Sequence, residues 1–88
     1  MVYLILFDLS RSERHYRKLM NEIQGLGKAN RILQHAFMVN CELSASQIYF
    51  NLKKFIEEDD NLLVLQAGKD WFGFLPLEKL NWIQEVLG

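Results

Sequence analysis

The chain begins with a strand that is apolar on both faces, and this feature constrains the fold more than any other. Residues 2–9 alternate between two sets of side chains, and both sets are apolar until Asp8 interrupts one of them. Such a strand needs cover on both faces. The 88 residues, half of them hydrophobic, suffice for one core but carry more apolar surface than a small monomer hides. We therefore predict one domain, residues 1–88, with a sheet that is covered on both faces.

The next elements are predicted from capping and periodicity. Ser10 and Glu13 have the spacing of a capping box, and the apolar residues that follow recur with helical period until Gly25 and Gly27 end the helix. A second capping-box spacing, Ser44 to Gln47, opens another helix. The acidic run 57–60 that follows this helix is predicted to be a solvated loop.

The remaining strands leave the order of elements open. Arg31–Cys41 alternates without a turn signal, which favours one long strand, although a bend in it would supply two. Leu62–Gln66 and Trp71–Leu75 are predicted to form a hairpin, and Pro76 opens a last helix. The predicted order is β-α-β-α-β-β-α. With either form of the long strand, the prediction is an α+β, ferredoxin-like two-layer sandwich with an antiparallel sheet, helices on one face and a C-terminal helix.

Such a helix layer leaves one apolar face of the sheet uncovered. Stacking on a second copy would cover this face, because twofold self-complementary contacts are the commonest solution for a small protein. We therefore predict a homodimer. The alternative is that the C-terminal helix folds back over the same face.

Composition excludes several classes of protein. The one cysteine, Cys41, permits neither an internal disulfide nor a Cys-rich zinc site. The start of the chain lacks a signal-peptide pattern, and its longest apolar run, residues 1–7, is too short to span a bilayer. A cytoplasmic protein without a membrane partner is predicted.

Charge is divided unevenly along the chain. Residues 1–44 carry a net charge of +2 and residues 45–88 one of −3, within a total of −1. The basic half contains a stripe at helical spacing, which we interpret as a candidate contact with RNA or DNA phosphates. Arg11, Arg14 and Lys18 lie on this stripe, and Arg17 lies beside it. The alternative is an ordinary solvated helix face.

Several short segments together resemble a known group of small proteins. They are Tyr3-Leu-Ile-Leu-Phe-Asp-Leu9, Leu26-Gly27, His35-Ala-Phe-Met-Val39, Leu43-Ser-Ala-Ser-Gln-Ile48, Asp60-Asn-Leu-Leu-Val64 and Trp71-Phe-Gly73. Over nearly the whole chain, the sequence resembles the SinR-like proteins. These are similar in turn to CRISPR-associated protein 2 and to virulence-associated protein D, which are ferredoxin-like domains that pair through their sheets.

The resemblance implies a catalytic and metal-binding role for Asp8. It implies that two copies of Asp8 face each other across a dimer cleft, where they would hold Mg²⁺ or Mn²⁺ for phosphodiester hydrolysis, as in a toxin-like endoribonuclease. In other members of the group, the dimer bridges DNA without cleaving it. The alternative, from its position just before a helix, is that Asp8 is a cap or polar terminator of that helix.

Other polar and aromatic residues give weaker signals. His15 is interpreted as a surface residue, and His35 either as a half-buried polar group or as a general base near Asp8. Three aromatic residues are candidates for base stacking, with core packing as the alternative because no basic residues are interleaved with them. They are Phe37, Trp71 and Phe72.

Three functions follow from these observations. The first is a homodimer of the SinR-like kind that contacts nucleic acid through its basic first helix. The second is a metal-dependent endoribonuclease that uses paired Asp8. The third is a non-catalytic dimeric adaptor whose acidic second half or C-terminal helix binds a protein partner.

Overall fold

A four-stranded antiparallel sheet in the order β2-β3-β1-β4 forms the centre of the protein. The computed structural model describes all residues, Met1–Gly88. The elements are β1 Val2–Asp8, α1 Arg17–Gly25, β2 Lys28–Leu33, β3 Ala36–Asn40, α2 Ala45–Lys53, β4 Asn61–Gln66 and α3 Leu77–Leu87, and a short 3-10 helix, Glu13–Tyr16, precedes α1. This β-α-β-β-α-β order with an added C-terminal helix confirms the predicted ferredoxin-like α+β fold.

The main core lies between the sheet and the layer of α1 and α2. β1 is central and contributes Tyr3, Ile5 and Phe7 on this face. The helices contribute their apolar stripes, which confirms the predicted helical period. The helix residues in this core are Tyr16, Leu19, Met20, Ile23, Ile48 and Leu52.

The prediction of one long strand over Arg31–Cys41 is wrong. The chain turns at Gln34 and His35, and β2 pairs with β3 through Leu33 and Ala36. The Arg31 side chain stabilises this turn by donating from Nε and Nη2 to the Gln34 carbonyl, at 3.1 and 2.5 Å. No residue in the turn has a positive φ, so it lacks the Asn-Gly type of signal that marks most two-residue hairpins.

The second predicted hairpin is also absent. Ala67 still donates its N–H to the Val2 carbonyl at 2.8 Å, but residues 71–75 form no strand. Trp71 and Leu75 pack over the face of the sheet instead of pairing with the free edge of β4. Packing across the face removes the segment from the plane in which strands exchange hydrogen bonds.

The second face of the sheet is partly covered by α3. Ile83 and Leu87 join a smaller buried cluster with Val2, Ile32 and Met38. The alternative of a folded-back C-terminal helix therefore describes this chain, and it weakens the argument that only a second copy can cover the face. Large apolar side chains nevertheless stay exposed on this side of the sheet or at its rim: Leu33, Leu63 and Leu65.

One predicted helix cap is present and the other is not. The Ser44 hydroxyl accepts from the Gln47 N–H and the Gln47 side chain accepts from the Ser44 N–H, as predicted. Ser10 does not start a helix, because its N–H and hydroxyl both donate to Asp60. Helical structure consequently begins only at Glu13, with the 3-10 helix.

None of the helices combines the length and the apolar character that crossing a membrane requires.

Candidate functional site

A buried carboxylate connects the two loops that border the helix layer. Asp60 Oδ1 accepts from the Ser10 N–H at 2.7 Å, the Ser10 hydroxyl at 2.9 Å and the Tyr16 hydroxyl at 2.7 Å. Its Oδ2 accepts from the Glu57 N–H at 2.7 Å. The interpretation of residues 57–60 as a solvated loop is thus wrong for Asp60, which is 8% exposed.

The hydrogen bonds to Asp60 decide its protonation. Burial by itself raises the pKa of this carboxyl, but the donors from Ser10, Tyr16 and Glu57 outweigh burial and lower the pKa to about 2. Asp60 is therefore ionised at neutral pH and holds the β1–α1 loop against the start of β4.

Glu57 continues this junction to the protein surface. Its carboxylate pairs with Arg11 Nε at 2.8 Å and with His15 Nε2 at 3.0 Å. Arg11 lies before the helix, and among the predicted phosphate-binding residues it is the one that has a salt-bridge partner. The interpretation of His15 as a surface residue is confirmed.

The other three basic residues share a groove between the beginning of α1 and the end of α2. The groove has a volume of about 760 Å³ and contains Arg14, Arg17 and Lys18 together with Lys54 from the C-terminal end of α2. Its one carboxylate belongs to Glu57, which is already paired with Arg11 and His15. These four cations have no salt-bridge partner, so the groove presents a net positive surface.

Asp8 lies at the opposite side of the sheet, in a shallow pocket. α1 begins at Arg17 with Tyr16 as its N-cap, so the interpretation of Asp8 as a helix cap is wrong. The exposed Asp8 carboxylate borders a pocket of about 340 Å³ with His35 and Asn61 as the other polar side chains. Asp8 pairs with Asn61 across β1 and β4.

A divalent metal would find too few ligands in one chain. No group of three or more His, Cys, Asp or Glu side chains converges anywhere in the protein. Asp8 and Asn61 supply oxygen atoms of the kind that Mg²⁺ and Mn²⁺ prefer, but such ions need about six ligands. A second copy of Asp8 would have to complete the site.

The remaining candidates separate into buried and exposed residues. His35 lies in the exposed turn rather than on a strand, with its ring edge-on to Phe7 at 6.1 Å. Phe37 is buried in the core, so it is not available for base stacking. Trp71 is half-buried, whereas Phe72 is fully exposed.

Arg31 belongs to a separate cluster beside this turn. Its guanidinium lies 5.8 Å from the Phe7 ring centroid and 5.5 Å from that of Phe37, and it pairs with Glu13 at 2.7 Å. The hydrogen bond from Arg31 lowers the pKa of Glu13. Arg31 thus has its acidic partner and is not part of the groove.

Two residues of these sites were missed in the sequence. Lys54 follows the second helix and enters the groove only because α1 and α2 pack side by side. Asp60 belongs to an acidic run in which no local pattern distinguishes it from Glu58 or Asp59.

Comparisons with known proteins bear on the fold. No protein-family model matches the chain, and no curated protein matches it. Among solved structures, the chain is similar to a hypothetical protein from Thermus thermophilus, TT1823, with a TM-score of 0.62 and 18% sequence identity. The match covers 86% of this chain and 94% of that one. At this identity the similarity establishes the fold.

Proposed function

We propose that the protein binds nucleic acid through phosphate contacts in the groove between α1 and α2. The observation that carries this proposal is the convergence of four unpaired cations, Arg14, Arg17, Lys18 and Lys54, in one surface groove. Cations that line a groove attract the phosphate backbone and release its counterions on binding. The total charge of −1 gives no attraction of its own, so binding depends on this local arrangement.

We propose that the binding species is a homodimer of the SinR-like and CRISPR-associated protein 2-like kind. The exposed leucines on the α3 side of the sheet support this proposal, since Leu63 is 58% and Leu65 40% exposed. The groove lies on the opposite, helix-covered side of the sheet, so stacking through the leucines leaves both grooves free.

Salt dependence tests nucleic-acid binding. Labelled RNA and DNA, each single-stranded and double-stranded, are titrated by fluorescence anisotropy at several salt concentrations. A double variant, Arg14→Gln with Lys18→Gln, is expected to bind more weakly and to lower the magnitude of the salt slope by about 0.7 to 0.9 per removed contact. The matched control is Lys28→Gln, which removes an exposed cation outside the groove. Equal affinities of the double variant and the control would refute the proposal.

A second candidate function is a metal-dependent endoribonuclease with Asp8 as catalytic residue and ligand. The pocket that Asp8 shares with His35 and Asn61 favours this function. In phosphodiester hydrolysis, a carboxylate can coordinate a metal ion and an imidazole can act as general base. When bound, Mg²⁺ or Mn²⁺ would activate water there. Asp8 and Asn61 would hold the ion together with Asp8 of a second copy, and His35 would accept a proton.

The nuclease proposal is tested with labelled RNA in Mg²⁺ and in Mn²⁺. Asp8→Asn is expected to lose cleavage and keep the oligomeric state of the parent, whereas Asp59→Asn, an exposed carboxylate in the acidic loop, is expected to cleave normally. Cleavage by Asp8→Asn at the parent rate would eliminate this function.

The third candidate, a dimeric adaptor for a protein partner, is supported by residues 72–77, which lead into α3. Phe72 and Phe74 are fully exposed and Leu77 is 72% exposed, which is unusual for side chains of this size. A dimer that fails to bind any nucleic acid would favour this candidate over the other two.

A further inference from the structure

Helix α2 carries aromatic side chains next to lysines on its outward surface. Ile48 and Leu52 are its buried positions, whereas Phe50 is 66% exposed. Tyr49, Phe50 and Lys54 form a surface that we call the aromatic ridge. An exposed phenylalanine that adds nothing to the core leaves its ring available to a ligand.

The ridge borders the basic groove. Phe50 and Lys54 are four residues apart at the end of α2, so their side chains lie on the same face, and Lys54 lines the groove. Phe50 therefore lies one helical turn from a cation that lines the groove, without lining the groove itself. Phe55, a lining residue, lies beneath Lys54 with its ring centroid 5.7 Å from Nζ.

Neighbouring contacts restrict the Phe50 ring. Tyr49 meets it edge to face, with ring centroids 5.2 Å apart and an interplanar angle of 70°. Lys53 Nζ in turn lies 5.9 Å from the Tyr49 ring centroid. A ring held in this way loses little freedom when a flat ligand stacks on it.

We propose that the groove and the aromatic ridge together bind single-stranded nucleic acid, with phosphates along the groove cations and a base stacked on Phe50. The proposal rests on the proposed function and specifies its ligand. Cations that follow a backbone, next to aromatic rings that accept bases, characterise proteins that bind single strands. In a duplex the bases are stacked on each other, so Phe50 has no free base face to contact.

The test compares one labelled strand, as RNA and as DNA, with its duplex in anisotropy titrations. The parent protein is expected to prefer the single strand, and Phe50→Ala is expected to lose about tenfold in single-strand affinity with unchanged duplex affinity. Phe50→Trp is expected to retain binding, whereas Phe50→Leu, which keeps apolar bulk without a ring, is expected to behave like Phe50→Ala. Phe74→Ala removes a fully exposed ring outside α2 and is the positional control.

The outcomes separate this inference from the proposal on which it rests. If binding depends on salt but Phe50→Ala has the same single-strand affinity as the parent, the stacking role is overturned and phosphate binding stands. The same holds if the parent prefers the duplex. Absence of binding to every nucleic acid overturns both. Quenching of a 2-aminopurine base in the strand by the parent and by Phe50→Trp, but not by Phe50→Leu, is the additional result expected of stacking.

Discussion

The Tyr16 hydroxyl donates a 2.7 Å hydrogen bond to Asp60 Oδ1, and this contact joins the start of the helix layer to the start of β4. The same carboxylate holds Ser10 and the Glu57 N–H, and Glu57 then positions Arg11 and His15. One buried ionised group thus organises the border of the basic groove. Asp60 does not line the groove, but it bonds to Tyr16 and Glu57, which do.

Loss of the Asp60 carboxylate is expected to destabilise the protein. Asp60→Ala leaves the Tyr16 hydroxyl and two backbone N–H groups without their acceptor, so the free energy of unfolding is expected to fall by about 3 kcal/mol. Urea unfolding at fixed protein concentration measures this change. Asp59→Ala, one residue earlier and exposed, is the control and is expected to change stability little. Similar losses in both variants would contradict the role of Asp60.

Stability is expected to depend on Asp60 in acid. Its pKa is about 2 in the folded protein against an ordinary value of 3.8, so the folded state binds this proton less readily than the unfolded chain. The stabilisation that the ionised Asp60 carboxylate contributes is therefore present above about pH 4 and is lost as the pH falls toward 2. Thermal unfolding between pH 6 and pH 2 is expected to show a shallower acid decline for Asp60→Asn than for the parent. Parallel pH profiles would refute this assignment.

The two lysines at the end of α2 differ in their position relative to the groove. Lys54 lines the groove, whereas Lys53 faces Tyr49 and does not. Lys54→Gln is expected to weaken nucleic-acid binding and to lower the magnitude of the salt slope by about 0.7 for a single strand. Lys53→Gln removes the same charge from the neighbouring position, and its salt slope is expected to match the parent's. Indistinguishable slopes for the two variants would reject the groove as the binding surface.

Much of the fold was predictable because apolar periodicity reports burial directly. The two-faced character of β1 and the stripes of α1 and α2 were predicted in this way, and the Ser44 cap was predicted from its spacing to Gln47. The turn between β2 and β3 left no break in the alternation of apolar residues, because two irregularities cancel. A two-residue turn shifts the alternation by one, and the bulge between Arg31 and Leu33 shifts it back, so Ile32 and Met38 still lie on one face.

The candidate site was less predictable than the fold. The spacing of Arg14, Arg17 and Lys18 is local, so the sequence revealed it. Lys54 and Asp60 obtain their roles from contacts between segments more than thirty residues apart, which no local pattern encodes. The same limit applies to Arg11, because its salt bridge to Glu57 also joins segments that are distant in the sequence.

The exposed leucines near Asp8 are expected to form the dimer contact. Leu63 lines the Asp8 pocket and pairs with Leu6 across β1 and β4, so Leu63→Glu would place a charge in a stacked interface. Light scattering after gel filtration is expected to show a dimeric parent and a monomeric variant. Phe50→Glu puts the same charge at a comparably exposed apolar position on the helix side and is expected to stay dimeric. A monomeric parent would disprove the homodimer.

Packing of α3 on the sheet is expected to contribute to the stability of the chain. Ile83 is 3% exposed and contacts the cluster around Val2 and Met38, so Ile83→Ala is expected to lower the free energy of unfolding by about 2 to 4 kcal/mol. Leu77→Ala removes a mostly exposed side chain from the same helix and is expected to have little effect. Both variants are compared with the parent at two protein concentrations, because a helix packed on its own sheet gives a loss that does not depend on concentration. If the loss for Ile83→Ala changes with concentration, α3 packs on the second copy instead.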